Sequence, residues 1–275
     1  MHPIFHIGPF PLPAYGSIIA IGLVLGIILA TFLANQYGYM KFDVILSTIL
    51  ASVGIMVGAK LLYMLTVIPS IIQHASYSKE HIPEVISYLF GGYVFYGGLI
   101  GALIAYNYYC KGMHYSFLRF SNIIAPSIPL VHAFGRIGCF MGGCCYGIHY
   151  DGPLSVTFPK NEFVESLGTE PRFPVQLLEA AINFLLFLVL FTYAKKKVRK
   201  DGCMLGIYFI CYAIIRFSLE FLRGDVERGI LFGVSTSQWI SLILIPIGIW
   251  LLKRTPSETI EEKEENEDIL SDSAN

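Results

Sequence analysis

The sequence predicts an all-α, polytopic integral membrane protein with about seven transmembrane helices. Two features of the composition lead to this prediction. Of the 275 residues, 55% are hydrophobic and 14% are charged, whereas a soluble domain carries about 25% charged residues. The third observation is the size of the apolar runs, since a helix needs about 20 apolar residues to cross the hydrocarbon. Such runs lie near residues 15–34, 44–66, 92–110, 118–138, 174–194, 203–223 and 236–252.

The ends of the chain and the fourth run need separate treatment. Pro126 and Pro129 interrupt the fourth run, and proline kinks or breaks a helix. The opening residues, MHPIFHIGPFPLPAYG, lack the positive start and the small-residue cleavage site of a removable signal peptide. Residues 256–275 are acidic and poor in apolar side chains. We therefore predict one transmembrane domain at 1–255, followed by a disordered cytoplasmic tail.

The lysines and arginines of the connections predict the orientation. The segment KKKVRK at 195–200 is the strongest positive cluster, and such clusters remain in the cytoplasm. Counting spans from it places the N-terminus outside, the connection 139–173 outside and the C-terminus in the cytoplasm. The other inner connections carry Lys41, Lys111, Lys253 and Arg254. The net charge of −1 and the absence of a basic stripe argue against a nucleic-acid partner.

Charged side chains inside the predicted spans are the candidate functional residues, because a charge in a membrane is costly without a ligand or a partner. They are Lys60, Arg136, Glu179, Arg216, Glu220 and Arg223, and the hydroxyl of Tyr212 begins the series Tyr212, Arg216, Glu220 and Arg223 in the sixth run. The steps of four, four and three in this series predict one shared helical face. One interpretation is an interhelical ion-pair network. The other is a cationic cavity for a lipid phosphate, which arginine binds with two hydrogen bonds.

Glycines surround a tyrosine at the start of the third run. The segment GGYVFYGGLIGA contains Tyr96, Gly97 and Gly98. Small residues at such positions allow close packing of helices. Close approach of a substrate to the backbone is the second interpretation.

Short segments in a fixed order characterise this chain. They are PAYG with Tyr15, GAKLLY with Lys60, FYGGLIGA, GRIGCFMGGCCYG, PVQLLE, the series from Tyr212 to Arg223, and SQWISL. In this order they resemble the prolipoprotein diacylglyceryl transferase family, whose signature is G-R-x-G-N-F-x-N-x-E-x-x-G. The signature positions that match are Gly135, Arg136, Gly138, Phe140 and Gly147.

The resemblance implies a bacterial plasma-membrane enzyme that needs no cofactor. Such an enzyme moves diacylglyceryl from phosphatidylglycerol to the thiol of the lipobox cysteine in a lipoprotein precursor. Its partners would be these two substrates and the surrounding membrane lipids. A related transferase with a different acceptor is an alternative, as is a non-enzymatic protein that binds or transports anionic lipid. A thiol oxidoreductase is a further class, although no C-x-x-C is present.

The resemblance also implies roles for individual residues. Arg136 and Arg216 would bind the departing phosphate, with Tyr15 and Tyr212 as hydrogen-bond donors. Glu220 would hold an arginine or accept the thiol proton. The expected catalytic residues are Arg136, Arg216, Glu220, Tyr96 and Cys139. The expected substrate-binding residues are Tyr15, Lys60, Gly97, Gly98, Gly147, Tyr212 and Arg223.

The chain departs from the family pattern at several positions. Cys139, Gly142 and Cys144 stand where the signature has Asn, Asn and Glu, and Tyr96 replaces the histidine of H-G-G. Phe173 replaces the histidine of the His-Pro pair before the fifth run. A tyrosine with a pKa near 10 is a poor base at neutral pH unless cations lower that pKa.

The clustered cysteines Cys139, Cys144 and Cys145 admit several interpretations. In one interpretation they are small packing residues. In another they form a disulfide in an oxidising outer compartment. Alternatively, Cys139 is a thiolate of lowered pKa beside Arg136 and carries the lipid covalently. A metal site ranks last, because C-x4-C-C lacks the two paired motifs of an ordinary zinc site. No metal ligand is therefore predicted.

Overall fold

A computed structural model of the protein describes residues 4–7, 10–74, 85–86, 89–158, 170–224 and 229–254. Regular structure in these residues is overwhelmingly helical, as predicted. The main helices are α1 (Ala14–Ala34), α2 (Lys41–His74), α3 (Phe95–Gly112), α4 (Phe117–Ile124), α5 (Ser127–Gly142), α6 (Val175–Lys196), α7 (Cys203–Leu219) and α8 (Thr236–Lys253). Two antiparallel hairpins pair β1 (Ile4–Ile7) with β2 (Phe10–Pro13) and β3 (Ile230–Leu231) with β4 (Val234–Ser235).

Within the described residues, five helices are long and apolar enough to cross a membrane. They are α1, α2, α6, α7 and α8, and the bent pair α4–α5 would be a sixth span. The run predicted near 92–110 does form a helix, α3, but its sequence FYGGLIGALIAYNYYCKG does not reach the same apolarity. Four tyrosines, an asparagine and a lysine lower its hydropathy. The all-α membrane class is thus confirmed, and the part of the chain that the structure describes contains five or six candidate membrane-spanning segments.

The predicted interruption of the fourth run is confirmed, and Pro126 marks it. The chain turns at residues 125–126, and the axes of α4 and α5 differ by 47°. Pro129 lies inside the first turn of α5. There a missing N–H costs nothing, because the first N–H groups of a helix have no intrahelical partner.

The chain divides into two compact units. The first unit combines Met1–Gly26 with Ser121–Asn275, and the second unit is Ile27–Phe120. The first unit contains α5 to α8 and the start of α1, and the second contains α2 and α3. The tail predicted at 256–275 lies outside the described residues.

In the second unit, α2 and α3 pack backbone to backbone through glycines. A Cβ added at Gly58 would collide with the carbonyl oxygen of Gly97, and one added at Gly97 would collide with that of Gly58. Gly54 and Gly101 form a second reciprocal pair of the same kind. These contacts confirm the helix-packing interpretation of the glycines.

A buried carboxylate ties the two ends of the second unit together. Asp43 is 1% exposed, and its oxygens accept hydrogen bonds from the hydroxyls of Tyr109 (2.9 Å) and Tyr115 (2.7 Å). Burial and the bond to Asp43 raise the pKa of Tyr115 to about 12. The Tyr115 hydroxyl therefore stays protonated and continues to donate at neutral pH.

In the first unit, α5 packs against both α6 and the start of α1, and α7 packs against α6 and α8. A Cβ on Gly22 would lie 2.6 Å from the Cβ of Phe134. Ser127 Oγ donates to the Gly26 carbonyl at 3.0 Å. These close contacts position α5, which carries the signature arginine.

Asn122 connects α4 to the start of α7. Its side-chain amide donates to the carbonyls of Arg199 (3.3 Å) and Lys200 (2.9 Å), and its oxygen accepts from the backbone N–H of Met204 (3.0 Å). The amide oxygen thus satisfies an N–H of the first turn of α7 that has no intrahelical partner, and the amide nitrogen holds the loop before that helix.

Candidate active site

The signature arginine lies in a cluster formed by α5 and α6. Arg136 Nε is 3.1 Å from Glu179 Oε2, and it donates to His132 Nε2 at 3.2 Å. His132 Nε2 is also 3.4 Å from Glu179 Oε1. This nitrogen accepts from Arg136 when it is unprotonated and donates to Glu179 when it is protonated. The Arg136 side chain keeps 15% of its surface exposed, while Glu179 keeps 2%.

A second arginine cluster spans the end of α7 and the start of α8. Arg216 Nη2 is 2.9 Å from Glu220 Oε2 and donates to Ser237 Oγ at 2.8 Å. Arg216 is 7% exposed, and its Nη1 has no hydrogen-bond partner among the described residues. A buried guanidinium with an unused donor is suited to an anionic ligand.

Aromatic side chains connect the two clusters. The ring of Tyr212 lies 5.5 Å from that of His132 and stacks on Tyr208 at 5.7 Å. Arg216 also acts electrostatically on Glu179. Two arginines and two carboxylates are therefore grouped across α5 to α8 within the first unit. Of the two interpretations of these charges, the ion pairs are observed in part: Arg136–Glu179 joins α5 and α6, whereas Arg216–Glu220 is an i,i+4 pair at the end of α7.

The prediction that Arg223 shares a helical face with Tyr212, Arg216 and Glu220 is wrong. Helix α7 ends at Leu219, a 3-10 turn covers Glu220–Leu222, and Arg223 has extended backbone angles. Glu220 keeps its i,i+4 relation to Arg216, because it caps the helix with helical backbone angles and its N–H donates to the Arg216 carbonyl. Arg223 instead pairs its backbone with Gly147 in a β-bridge.

Gly147 lies between two backbone segments that leave no room for a side chain. Its N–H donates to the Phe173 carbonyl at 3.1 Å. An added Cβ would collide with that oxygen and would lie 2.9 Å from the Leu222 carbonyl. A Cβ on Gly224 would likewise collide with the Gly147 carbonyl. The last glycine of the signature therefore joins the chain after α5 to the segments before α6 and after α7.

The loop after α5 is held in place by backbone contacts. Gly143 caps α5 in the left-handed region (φ 75°), and the N–H of Cys144 donates to the Cys139 carbonyl at 3.1 Å. Gln176 of α6 donates to the Cys144 carbonyl at 2.8 Å. Cys145 is a non-glycine residue with φ 59°, a conformation that L-residues rarely adopt.

This loop brings three thiols together. The Sγ atoms of Cys139, Cys144 and Cys145 all lie within 4.8 Å of one another, and none forms a disulfide. Hydrogen bonds from the other two thiols and the nearby Arg136 and Arg223 hold the pKa of the Cys145 thiol well below its usual value, although burial raises it. Cys139 is buried, and the other two are partly exposed.

Tyr15 begins α1 beside this region. A Cβ added at Gly138 would lie 3.1 Å from the Tyr15 ring and 3.2 Å from its carbonyl. Tyr15 interacts electrostatically with Cys139 and Arg136 and remains 48% exposed. The structure thus groups Tyr15 with the residues of the α5 C-terminus.

Four predicted site residues belong to the second unit. Lys60 Nζ donates to the carbonyls of Phe90 (2.7 Å) and Gly92 (3.3 Å) and lies 4.6 Å from the Tyr93 ring centre. The other three are Tyr96, which is 41% exposed, and the buried pair Gly97 and Gly98 of the α2–α3 contact.

Sequence reasoning missed His132 and Gln176 as members of the site. His132 precedes Arg136 by four residues on one helix, which places both on the same face. That spacing is a signal that could have identified it. Gln176 lies within PVQLLE, and nothing local indicates that it binds the loop of the cysteines.

A family model and several curated relatives match most of this chain. The family model described as prolipoprotein diacylglyceryl transferase matches residues 2–254. A phosphatidylglycerol–prolipoprotein diacylglyceryl transferase of Clostridium tetani is 36% identical over 237 residues, which cover 86% of this chain and 90% of the relative. A second relative, phosphatidylglycerol–prolipoprotein diacylglyceryl transferase 2 of Clostridium perfringens, is 32% identical, and the match covers 86% of this chain and 89% of the relative. A third, the phosphatidylglycerol–prolipoprotein diacylglyceryl transferase of Rickettsia bellii, is 30% identical, and the match covers 94% of this chain and 96% of the relative. The chain belongs to the prolipoprotein diacylglyceryl transferase family.

Proposed function

We propose that this protein is a phosphatidylglycerol–prolipoprotein diacylglyceryl transferase. The observation that carries the proposal is the pair of arginine clusters in the first unit, Arg136 with Glu179 and Arg216 with Glu220. Each arginine is held by a carboxylate inside apolar helices and still has guanidinium nitrogens available for a ligand. The names of the relatives supply the substrate class.

The reaction forms a bond between the acceptor sulfur and a glycerol carbon while the bond from that carbon to phosphate oxygen breaks. Negative charge builds up on the departing glycerol phosphate, and preorganised cations stabilise it. Arg136 is held through Nε, so its terminal nitrogens can bind the phosphate in a fork. Arg216 offers Nη1 in the same way. Tyr15 and Tyr212 donate further hydrogen bonds.

The remaining roles belong to residues that lie beside the two arginines. Glu220 orients Arg216, since it lies 2.9 Å from Nη2. Arg223 adds positive charge near Arg136 and Cys145. Gly147 binds substrate through its backbone. Cys139 is a further catalytic residue of the proposal, whereas the roles of Lys60, Tyr96, Gly97 and Gly98, which belong to the second unit, stay predictions.

The membrane topology that fits this function has seven spans, with α3 as the third. If α3 did not cross, Lys41 and the segment 195–200 would lie on opposite sides of the membrane. A crossing α3 puts Lys41, Lys111, 195–200 and the end of α8 on one side, as the positive-inside rule requires. The N-terminus is then outside and the C-terminus is in the cytoplasm of a bacterial plasma membrane.

Two alternatives keep the lipid-binding site, but one changes the acceptor and the other involves no transfer reaction. A different acceptor would fit the replaced signature residues, Cys139, Gly142 and Cys144. A non-enzymatic protein that binds or transports anionic lipid would also use the two arginines. The partly exposed Arg136 suits any of these ligands, so the acceptor must be tested directly.

The test supplies phosphatidylglycerol and a peptide with a lipobox cysteine to purified membranes. Mass spectrometry of the peptide is expected to show diacylglyceryl addition, and Arg136→Ala is expected to abolish it. Arg254→Ala is the matched control, since Arg254 lies at the opposite end of α8 from Ser237 and stacks on Trp250. Near-normal transfer by Arg136→Ala would contradict the assignment. Lipid binding without peptide modification would favour the non-enzymatic alternative.

A further inference from the structure

We propose that Cys139, Cys144 and Cys145 form a binding site for one d¹⁰ metal ion that accepts thiolate ligands, of which zinc is the representative. The three Sγ atoms lie within 4.8 Å of one another, and no disulfide joins them. The spacing C-x4-C-C argued against such a site, because it lacks the two paired ligand motifs of an ordinary zinc site. Helix α5 supplies the first thiol, and the loop folds back to bring the other two beside it.

The sulfur positions suit a metal with thiolate ligands. In a tetrahedral zinc site with bonds of about 2.3 Å, the sulfurs are about 3.8 Å apart. Rotation of the cysteine side chains about χ1 covers the remaining difference from 4.8 Å or less. Thiolates select zinc or copper(I) over hard cations. Three ligands leave a fourth position open, as in catalytic zinc sites.

The charges around the thiols favour this assembly. Three thiolates and a divalent cation carry a net charge of −1. Arg136 and Arg223 both act on Cys145, and both stabilise negative charge there. Arg223 therefore adds compensating positive charge beside an anionic metal–thiolate group, whereas the charge of Arg136 is shared with Glu179. An uncompensated negative charge at this position would be costly.

The loop is held in the shape that the site requires. The capping bond from Cys144 N–H to the Cys139 carbonyl (3.1 Å) fixes the first two ligands relative to each other. Gln176 holds the Cys144 carbonyl from α6 at 2.8 Å. A site whose ligands are held before the metal arrives loses less entropy on binding.

The open fourth position suits the acceptor cysteine of the lipoprotein precursor, and this part of the inference rests on the proposed function. A thiol that coordinates zinc loses its proton. That proton passes to water or to the leaving phosphate. The sulfur lone pair then forms the bond to glycerol carbon, and the carbon–oxygen electron pair leaves with glycerol phosphate. No oxidant is needed, and the thioether product is a weaker ligand that can dissociate.

This role explains how the chain can work without the signature residues that it lacks. Cys139 and Cys144 replace an asparagine and a glutamate of the family pattern. A metal ion at the two replaced positions would supply the thiolate by coordination. In the carrier interpretation Cys139 itself becomes alkylated, and that outcome would overturn the metal site.

The test measures zinc bound to the purified full-length protein in detergent. Wild type, loaded with zinc sulfate under reducing conditions and then desalted, is expected to retain about one zinc per chain by elemental mass spectrometry. Cys139→Ser, Cys144→Ser and Cys145→Ser are each expected to weaken binding about 10-fold or more. Cys203→Ser, which removes a thiol at the start of α7, is the matched control and should retain zinc. Cobalt loading is expected to give a sulfur-to-cobalt charge-transfer absorption that the three variants lose.

Separate outcomes test the site and its role. Zinc retention by the triple serine variant equal to that of wild type would overturn the site, as would a disulfide or lipid adduct on these thiols under the reducing assay conditions. Peptide lipidation that survives removal of zinc would overturn the role in catalysis and leave the proposed function standing. Zinc retention without any lipidation would contradict the proposed function and leave the metal site standing.

Discussion

Replacing Glu179 with glutamine is expected to destabilise the protein by removing the counter-charge of Arg136. The two side chains lie 3.1 Å apart and are 2% and 15% exposed. Breaking such a buried pair from one side costs about 3–5 kcal/mol, because the other charge stays buried without compensation. Since about 1 kcal/mol shifts the melting temperature of a chain of this size by about 2–4 °C, the expected drop is about 6–20 °C.

The assay is thermal unfolding of the purified protein in detergent, with Glu170→Gln as a control at an exposed carboxylate. The double variant Glu179→Gln with Arg136→Met is expected to recover much of the lost stability, because the buried guanidinium that lost its counter-charge is removed as well. It should not recover lipid transfer, since the cation proposed to bind the phosphate is gone. A drop of less than about 2 °C in Glu179→Gln, or strictly additive losses in the double variant, would refute the reasoning.

Three further predictions follow from single contacts. Arg216→Lys is expected to lower the transfer rate about 10- to 100-fold, because lysine lacks the forked guanidinium that donates to Ser237 and is proposed to bind the phosphate. An unchanged transfer rate would contradict this prediction. Gly147→Ala is expected to lower the melting temperature, since a Cβ collides with a carbonyl oxygen, whereas Gly112→Ala has open space and should not. Asp43→Asn is expected to cost about 1–3 kcal/mol of stability because two tyrosine hydroxyls lose a charged acceptor, and equal melting temperatures would count against it.

Most of the site residues could be identified from the sequence because a charge in an apolar run is visible locally. Arg136, Arg216 and Glu220 were predicted together, and the structure places them in one unit. Glu179 was recognised as a charge inside a span, but its partner was not. His132 was not included, although its spacing of four residues from Arg136 places both on one helical face.

The sequence by itself determined the helical membrane class, the break at Pro126 and the presence of an arginine site. Those properties depend on composition, on apolar run length and on the fixed backbone of proline, all of which are local. Only the tertiary structure decided that Arg136 pairs with Glu179, that Arg223 leaves the helix, and that three thiols converge after α5. These facts depend on how distant segments approach one another, and spacing along the chain does not record that approach.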